Sequence, residues 1–432
     1  MQKPQSPPSK GTFLNLGLFQ FLSFVRRGVF YTFMINYLYS LMGTVTFTAM
    51  LGTLNMIASA LGQNLLWGRI CDRYKLRAKL VIAGEAIAAT AYLIVFLIHR
   101  SLIDAQASFS AGLSLIFGLS LLEFFWSMSD VGWAALLTSV TTKKTRGSMI
   151  GTLNFVASLG RMIGIIFAGY LYNNGEGFHE GTIFYIVIAM LLSSTIIMWA
   201  TSRSMRNPDP KTEEASAKCR AEEPREFDNH RTYNWFLISL IVIIVGAACT
   251  SQVFLLFLKL PAPIGGLNVS DPEESFILTA WTIGGMITSL SCGWLADKIG
   301  RIKVLSLGLG LAMATPLGYG LAPNVPAMAV VYGLNGVSFW VIQTVGFAFA
   351  ADLIPEDKRG RLFGKYNTVM ALSWGPAGFL VGGPFADIQI QSGFSAHAAY
   401  MNTFFASAMI VAIGAMLFAT KVAKQKISPA KS

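Results

Sequence analysis

Charged residues are scarce in this chain of 432 residues, where Asp, Glu, Lys and Arg together make up only 13%. Soluble globular domains carry about 25%. Apolar residues make up 53% of the chain, and apolar runs of roughly 20 residues are long enough to cross a ~30 Å hydrocarbon core. This composition argues against a soluble domain and indicates an all-α polytopic membrane protein.

The residues that build most metal centres and nucleophilic active sites are also few. Four cysteines occur without paired spacing, so neither a disulfide framework nor a zinc site is indicated. Every histidine falls in a predicted loop, and these residues are His99, His179, His230 and His397. No Ser/His/Asp or Cys/His set can be assembled from them, so an enzyme is the least favoured class. The phosphate-binding pattern GxxxxGK[ST] is missing as well, so the sequence indicates neither ATP-driven work nor a cofactor.

Twelve apolar runs are candidates for membrane-spanning helices. They cover residues 14–40, 45–67, 79–98, 109–139, 148–173, 182–201, 233–258, 274–296, 303–322, 325–353, 361–386 and 397–420. Of the 33 lysines and arginines, 28 fall in seven alternate segments outside these runs or at their ends. By the positive-inside rule those segments and both chain ends are cytoplasmic. The net charge of +11 then follows from topology and from attraction to an anionic lipid leaflet, rather than from a nucleic-acid partner.

The chain is predicted to divide into two halves of six spans each, residues 1–201 and residues 233–420. Between them, residues 202–232 include PDPKTEEASAKCRAEEPREFD, a run rich in charge and poor in apolar residues that is typical of a mobile linker. Residues 421–432 form a short cytoplasmic tail. Because one chain supplies both halves, a monomer is sufficient.

Two cytoplasmic motifs recur in the same order in both halves. GRICDRYKLRAK begins at Gly68, and GWLADKIGRIKV begins at Gly293. TRGSMIGTLN in the first half corresponds to KRGRLFGKYN in the second, where Arg146 aligns with Arg359. Two unrelated motifs repeated in one order indicate an internal duplication.

These motifs resemble the signature of the major facilitator superfamily, which is the loop pattern Gly-x-x-x-Asp-Arg/Lys-x-Gly-Arg. The second copy matches it at Gly293, Asp297, Lys298, Gly300 and Arg301. The first copy matches at Gly68, Asp72 and Arg73 but departs at Lys75 and Leu76, where Gly and Arg would stand. The resemblance covers essentially the whole chain. It implies two pseudo-symmetric six-helix bundles around a central cavity that opens alternately to each side of the membrane.

The same loops are predicted to act as gates. An Asp at the end of one helix can accept hydrogen bonds from the N-terminus of the next, and basic residues such as Arg77 or Arg301 can pair with acids on neighbouring helices. Such contacts exist in only one of two conformations, so they bias the equilibrium between them. In the family the partner acid often stands seven residues before the Arg-Gly of the adjoining loop, which gives Asp352 before Arg359 but Ser139 in the first half. We expect a stronger latch in the C-terminal half, the alternative being a merely solvated anchor.

Six charged residues are candidates for positions deep inside the predicted spans, and they are Arg26, Arg27, Glu85, Glu123, Asp130 and Arg161. An ionised group at mid-bilayer costs at least ~2.5 kcal/mol, so each is a functional hypothesis. At ~1.5 Å per residue, Arg27 and Asp130 come to similar depths, roughly 15 Å into their helices. The resemblance implies that the first and fourth helices both line the cavity. We predict that Glu123 or Asp130 holds an arginine there, and we favour Arg27 because Tyr31 lies one turn further on the same face.

Structural roles are the alternative for several of these residues. A buried ion pair of Arg26 with Glu123 or Asp130 would need no part in transport. Glu85 lies near the predicted cytoplasmic edge, which favours a helix-end contact. Arg161 lies in SLGRMIGIIFAG, whose glycines indicate close helix packing, so it can simply cap a neighbouring carbonyl.

The C-terminal half has no ionisable residue deep inside its predicted spans. Its candidates are amides and aromatic rings, namely Gln252, Asn335, Trp340, Gln343, Asn367 and Trp374. Trp340 and Gln343 are three residues apart and share a helical face. Rings and amides suit an organic ligand, although packing between helices accounts equally well for any one of them. The predicted cavity is therefore ionic in one half and neutral in the other.

These features favour a secondary active transporter that moves a small solute by alternating access. Arg27 and Arg161 would attract an anionic or amphipathic substrate. Asp130 or Glu123 would carry a coupling proton, because an arginine that moves onto substrate no longer holds its carboxylate ionised. A drug/proton antiporter is less well supported, since the Gly-Pro signature of its fifth helix is missing from SLGRMIGIIFAG.

Two further hypotheses compete with this one. FVRRGVFYTFMINYLYSLMG and WGRICDRY resemble the MamH-type superfamily members of bacterial magnetosome membranes. That resemblance implies iron transport, with Glu85, Glu123 and Asp130 carrying a cation or the arginines an iron chelate anion, although no His or Cys accompanies the carboxylates and no metal ligand is assigned. The other hypothesis is a non-transporting sensor or scaffold that binds a partner through residues 202–232. In either case the chain belongs in a bacterial inner membrane or a magnetosome membrane.

Overall fold

The computed structural model describes residues 10–74, 76–140, 146–204, 230–354 and 359–424. Within these ranges the chain folds into helices joined by short turns, and no strand occurs. Spatial clustering of the Cα atoms divides the chain into two units. The first comprises Met1–Gly43 and Leu54–Asp209, and the second comprises Thr44–Thr53 and Pro210–Ser432.

Nine helices lie wholly or partly in the first unit. They are α1 (Lys10–Tyr31), α2 (Met34–Met42), α3 (Val45–Leu61), α4 (Gly68–Tyr74), α5 (Arg77–Asp104), α6 (Ser108–Val140), α7 (Arg146–Leu171), α8 (Glu176–His179) and α9 (Thr182–Ser204). A π-helical turn, Gly62–Trp67, joins α3 to α4. The first turns of α3 belong to the second unit.

The helices that follow belong to the second unit. They are α10 (His230–Ala248), α11 (Ser251–Leu258), α12 (Asp271–Ile299), α13 (Arg301–Tyr319), α14 (Val325–Leu353), α15 (Arg359–Ala377), α16 (Gly383–Gln391) and α17 (Ala396–Lys421). A second π-helical turn, Gly378–Gly382, joins α15 to α16.

Among the described residues, ten helices are long and apolar enough to cross a membrane, or eleven if the bent pair Asp271–Ser289 and Ser291–Ile299 is one span. The first predicted span is outside this set. It is divided between α1 and α2, and α1 carries Arg26 and Arg27 in its apolar run. The all-α polytopic fold predicted from the sequence is confirmed.

Glycines allow the helices of the first unit to approach closely. A Cβ added at Gly164 of α7 would lie 2.2 Å from the carbonyl oxygen of Val25, and one added at Gly28 of α1 would lie 2.6 Å from that of Arg161. Neither position has room for a larger residue without separating the helices. The close packing predicted from the glycines of SLGRMIGIIFAG is therefore confirmed, and it fixes the rotation of α1, which carries the two arginines.

The second unit contains a polar contact between α16 and the first turn of α3. Oδ1 of Asp387 accepts a hydrogen bond from the backbone N–H of Val45 at 3.0 Å, and Oδ2 accepts one from that of Thr46 at 2.8 Å. The Thr46 hydroxyl donates to Oδ2 as well, at 2.6 Å. The first N–H groups of a helix have no partner within it, so a carboxylate distant in sequence caps α3.

Candidate functional site

One face of α6 carries three side chains of the candidate site. Glu123, Trp126 and Asp130 are spaced by three and four residues, so they project from the same side of the helix. The Trp126 ring is buried, and two guanidinium groups lie against it. Cζ of Arg27 is 4.3 Å from the ring centre and Cζ of Arg26 is 4.8 Å from it. Because a cation is attracted to the indole face, Trp126 holds both arginines of α1 against α6.

Arg27 and Asp130 form one of the ion pairs predicted from the sequence. Nη2 of Arg27 lies 3.7 Å from Oδ2 of Asp130, and the two side chains are 36% and 41% exposed. A pair as exposed as this is worth only about 0.2–1 kcal/mol in stability. Its partners can therefore separate at little cost, which leaves the guanidinium able to bind a solute.

Arg26 takes a different position, because successive helical residues point ~100° apart. It is 3% exposed, and its Nη1 donates a hydrogen bond to the Tyr92 hydroxyl at 3.4 Å. Its Nε and Nη2 have no hydrogen-bond partner. Tyr31 lies beside Arg26 and Tyr92 rather than on the face of Arg27. The alternative of a structural ion pair between Arg26 and an acid of α6 is wrong, since Arg26 makes no ion pair with any residue that the structure describes.

Glu85 is fully buried, which corrects the expectation of a helix-end contact. Its Oε1 accepts hydrogen bonds from Nε1 of Trp126 and Oγ of Ser129, each at 2.8 Å, whereas Oε2 has no partner. The cause is the close packing of α5 on α6, where a Cβ added at Gly84 would lie 2.9 Å from the backbone nitrogen of Ser129. Glu85 is thereby brought within electrostatic range of Arg26.

Glu123 and Arg161 are the remaining two candidates among the six predicted intramembrane charges. Glu123 is partly buried, and the strongest cationic field that acts on it comes from Arg27. Arg161 is exposed on α7, and its backbone carbonyl lies against Gly28. The structure therefore brings Arg26, Arg27, Glu85 and Asp130 together around Trp126, and Glu123 stands on the same helix face as Trp126.

The second unit contains a small, partly open cavity. Its polar lining comes from Asn335, Ser338 and Gln343, and its aromatic lining comes from Phe339 and Trp374. The rest of the lining is aliphatic side chains and one methionine. A lining of this character suits an apolar or aromatic group.

Gln343 supplies the amide that is available to a ligand in this cavity. Asn335 is already engaged at both ends, since it accepts from Nε1 of Trp281 and donates to Oγ1 of Thr315, each at 3.2 Å. Ser338 donates to a backbone carbonyl at 3.0 Å. Gln343 is partly buried and makes no hydrogen bond within the part of the chain that the structure describes.

Trp340 does not line this cavity, although the sequence grouped it with Gln343. Its ring centre lies 6.5 Å from that of Trp281, and a Cβ added at Gly285 would lie 2.2 Å from its Nε1. Residues three apart diverge by ~60° around a helix, and this is enough to turn Trp340 toward α12. The true lining stripe of α14 is Asn335, Phe339 and Gln343, at intervals of four.

Arg301 forms the ion pair predicted for the second gating loop. Its Nη1 contacts Oδ2 of Asp352 and the backbone carbonyl of Ala348. Gly300 stands between α12 and α13 with φ 97° and ψ 139°, a conformation that glycine adopts without strain. The glycine of the motif therefore makes the sharp turn that directs Arg301 toward α14.

The other predicted gate residues are described by their exposure and their positions along the helices. Those at exposed positions are Asp72, Arg73, Gly293, Asp297 and Lys298. Gly68 follows the π-helical turn, and Arg77 is the first residue of α5. The hydrogen bond expected at Asp297 is not among those of the described residues. The side chains of Ser139 and Arg359 lie outside the described residues, so the expected difference between the two latches stays a prediction.

The placement of the histidines in loops is wrong. His99 lies in α5, which runs to Asp104, several residues beyond the predicted span, and its Nε2 is 2.7 Å from the Tyr37 hydroxyl. The helical positions of the others are His179 in α8, His230 in α10 and His397 in α17. Within the described residues no three His, Cys, Asp or Glu side chains are grouped so that they could hold a metal ion.

Sequence reasoning missed two residues of the site and its surroundings. Trp126 stands three residues after Glu123 and four before Asp130, and this helical spacing is a signal that could have found it. Asp387 gave no such signal. Its partner Thr46 is distant in sequence, and no pattern in the sequence links the start of α3 to this carboxylate.

Comparison with known proteins identifies the family. The sequence profile described as "Major Facilitator Superfamily" matches residues 16–378. A puromycin resistance protein of Streptomyces alboniger is 30% identical over 179 residues, 39% of this chain and 32% of that protein. A homologue of the multidrug resistance efflux pump PmrA from Lactococcus lactis is 23% identical over 342 residues, 78% of this chain and 77% of that pump. The chain thus spans about a third of the length of the first of these relatives.

Two solved transporter structures share the fold. A bacterial metal transporter superposes with a TM-score of 0.68 at 13% identity, covering 96% of this chain and 99% of that one. The nucleoside transporter NupG superposes with a TM-score of 0.68 at 15% identity, covering 96% and 100%. Identities this low show the fold alone, and equal scores for a metal and a nucleoside transporter favour neither substrate. With the family profile matched over residues 16–378, the chain belongs to the Major Facilitator Superfamily of membrane transporters.

Proposed function

We propose that the protein is a proton-coupled secondary active transporter, which moves a small anionic or amphipathic solute by alternating access. Membership of a transporter superfamily supports the transport part of this proposal. The observation that carries the rest is the half-exposed ion pair of Arg27 and Asp130 against Trp126. Ionisable residues inside membrane spans are costly and mark substrate or proton pathways.

In this mechanism Arg27 binds the solute and Asp130 binds the proton. While Arg27 contacts Asp130, the positive charge keeps the carboxylate ionised. A solute anion that draws Arg27 away removes this charge, and Asp130 then binds a proton more readily. Glu123 is the second candidate for the proton, since it lies seven residues, or two helical turns, before Asp130 on the same face of α6. Arg161 is proposed as a further cation that attracts the solute.

The cavity of the second unit supports an amphipathic solute rather than a small inorganic ion. Its lining is largely apolar and aromatic, and Gln343 offers an amide that makes no hydrogen bond to the other residues that the structure describes. A ring or alkyl group of an amphipathic solute fits such a lining. The ion pair of Arg301 with Asp352 is proposed as a gate contact that stabilises one conformation of the carrier.

The proposal extends to how the chain is divided and to the membrane in which it lies. Residues 1–201 and 233–420 would be the two transport bundles, joined by the charged linker 202–232 and followed by the tail 421–432. A single chain is proposed as the working unit, in a bacterial inner membrane or a magnetosome membrane, with both ends in the cytoplasm and the lipid bilayer as its solvent.

Uptake into liposomes by the purified protein tests the proposal. The panel contains organic anions, cationic dyes, ferrous iron and ferric citrate, each with and without an inward proton gradient, and the iron compounds test the magnetosome alternative. Proton-dependent flux of one class should be lost in Arg27→Ala and Asp130→Asn. The flux should persist in Arg100→Ala, which removes an exposed arginine near the C-terminal end of α5.

Two results would contradict this proposal. Unchanged flux in Arg27→Ala and Asp130→Asn would make the pair a structural contact. Lack of flux for every compound would favour the scaffold hypothesis. Asp297→Asn also separates the two classes, because a carrier with an altered gate loses the flux of its solute whereas a scaffold keeps its partner.

A further inference from the structure

A second carboxylate lies behind the half-exposed ion pair. Glu85 is 0% exposed, yet only one of its oxygens is engaged. Oε1 accepts two hydrogen bonds, from Trp126 and Ser129, and Oε2 has no hydrogen-bond partner among the residues that the structure describes. A buried polar atom without a partner is costly, so binding of a ligand, a water or a proton to it would lower the free energy.

The countercharge of Glu85 is near but not in contact. Arg26 is the cation that acts on Glu85 most strongly, and yet Nε and Nη2 of Arg26 also lack partners. The titratable groups that surround this pair are Tyr31 from α1, Tyr92 from α5, and Glu123 and Asp130 from α6. An acid in direct ion-pair contact is locked in its charged form, whereas an acid held at a distance from its countercharge can change protonation state at lower cost.

Trp126 connects this buried acid to the half-exposed pair. Its indole N–H donates to Glu85 at 2.8 Å, while its ring lies under the guanidinium of Arg27 at 4.3 Å. Arg27 is the residue that contacts Asp130. A single rigid side chain therefore contacts both the buried acid and the solute-binding cation. A displacement of Arg27 would shift the Trp126 ring and so change its hydrogen bond to Glu85.

We propose that Glu85 is a second proton-binding site of the carrier, and that Trp126 is the positioning residue that couples it to the ion pair of Arg27 and Asp130. The part of Glu85 in transport rests on the proposed function above. A proton delivered by water forms an O–H bond with Oε2, the carboxylate becomes neutral, and the charge of the cluster rises by one. The positive charge of Arg26 is then no longer offset by Glu85. Binding of a solute anion at Arg27 and binding of the proton at Glu85 therefore favour each other, as reciprocal linkage requires.

Infrared difference spectroscopy of the full-length protein in lipid tests this without any solute. Spectra at acid minus alkaline pH, in H₂O and in ²H₂O, should show the C=O band of a carboxylic acid that exchanges its proton. That band should vanish in Glu85→Gln. It should remain in Glu274→Gln, which removes an equally buried acid that instead lies 3.2 Å from its cation, Lys259. A Glu85→Gln spectrum identical to that of the wild type would overturn the proposal.

Trp126→Phe gives a second test that does not depend on the folding of Glu85→Gln. Phenylalanine keeps an aromatic face for the arginines and removes only the N–H donor to Oε1. A hydrogen bond to a carbonyl weakens its stretching force constant, so loss of the donor should move the Glu85 band to higher wavenumber. An unmoved band would contradict the link through Trp126, since a merely structural tryptophan leaves the band where it is.

Flux measurements then separate this inference from the proposed function. In Glu85→Gln, accumulation of the transported panel compound driven by a pH gradient should fall at least tenfold, while exchange of the same compound at equal pH persists. Wild type without proton-dependent flux refutes the proposed function even when the Glu85 band is present. Wild type with proton-dependent flux but without the Glu85 band refutes the inference alone.

Discussion

Cζ of Arg27 lies 4.3 Å from the centre of the Trp126 ring while Nη2 of the same guanidinium lies 3.7 Å from Oδ2 of Asp130. The planar guanidinium makes the aromatic and the ionic contact together. An ammonium is a compact charge on a flexible stem and cannot stack in this way. The arginine is therefore held in one place by two weak contacts, either of which a solute can replace.

Arg27→Lys should keep the charge beside Asp130 and lose the stacking on Trp126. Cation–π contacts are worth ~0.5–2 kcal/mol, so we expect the initial rate of proton-driven uptake to fall roughly 2- to 30-fold, against complete loss in Arg27→Ala. Arg203→Lys is the matched control, because Arg203 stacks on Trp199 at 3.7 Å at the end of α9. Equal rates in Arg27→Lys and wild type would show that charge alone is needed.

The gate contact can be tested with a double-mutant cycle. Arg301 and Asp352 are 31% and 46% exposed, and exposed pairs contribute ~0.2–1 kcal/mol. Arg301→Gln and Asp352→Asn should each lower the transport rate by no more than about fivefold, and the double variant should be no worse than the single ones. Lys303→Gln, an exposed change two residues away, should have no effect. Additive losses would mean that the two residues act separately.

The amide of Gln343 should decide the affinity of the cavity in the second unit. Gln343→Leu keeps most of the side-chain volume and removes a hydrogen bond worth ~0.5–1.5 kcal/mol, so we expect binding of the transported solute to weaken roughly 2- to 10-fold. Trp374 fluorescence, or competition in uptake, measures it. Trp340→Phe is the control from the same helix that should leave affinity unchanged. A larger loss in Trp340→Phe than in Gln343→Leu would contradict this assignment.

Asp387 should stabilise the start of α3. Loss of a helix N-cap costs ~0.5–2 kcal/mol, so Asp387→Ala should lower the midpoint of thermal unfolding of the purified protein. Thr46→Val removes only the hydroxyl bond to Oδ2, and its effect should be smaller. Asp104→Asn removes an exposed acid from the end of α5 and serves as the control. A midpoint in Asp387→Ala equal to that of the control would show that water replaces the carboxylate as a cap.

Two glycines of α7 should respond oppositely to alanine. A Cβ at Gly164 would lie 2.2 Å from the carbonyl oxygen of Val25, whereas a Cβ at Gly151 has no heavy atom within 4 Å. Overpacking costs ~1–3 kcal/mol, so Gly164→Ala should reduce thermal stability and transport. Gly151→Ala should be neutral or stabilising by up to ~1 kcal/mol, because alanine is the better helix former. Equal behaviour of the two variants would contradict the close approach of α1 and α7.

Particular residues show how far the site could be predicted. Similar depths and the cavity-lining helices that the family resemblance implies led to Glu123 or Asp130 as the partner of Arg27, and the family motif led to Asp352 as the partner acid of the second gating loop. Glu85 was misjudged because its position along α5 gives its depth but not its neighbours. Trp340, which the sequence grouped with Gln343, does not line the cavity of the second unit, because a difference of ~60° around a helix separates the two side chains. Such rotations are set by contacts with other helices.

By itself the sequence determined that this chain is a helical membrane protein of the superfamily that its loop motifs resemble. Those properties follow from local sequence, because apolar runs and loop motifs can be recognised without knowing which segments meet. The tertiary structure decided which charges meet. Glycine contacts bring α1 against α7 and α5 against α6, and only this packing places two arginines and Glu85 on a single tryptophan. Contacts between segments distant in sequence carry no local signal, so the role of Trp126 could be seen only in the folded chain.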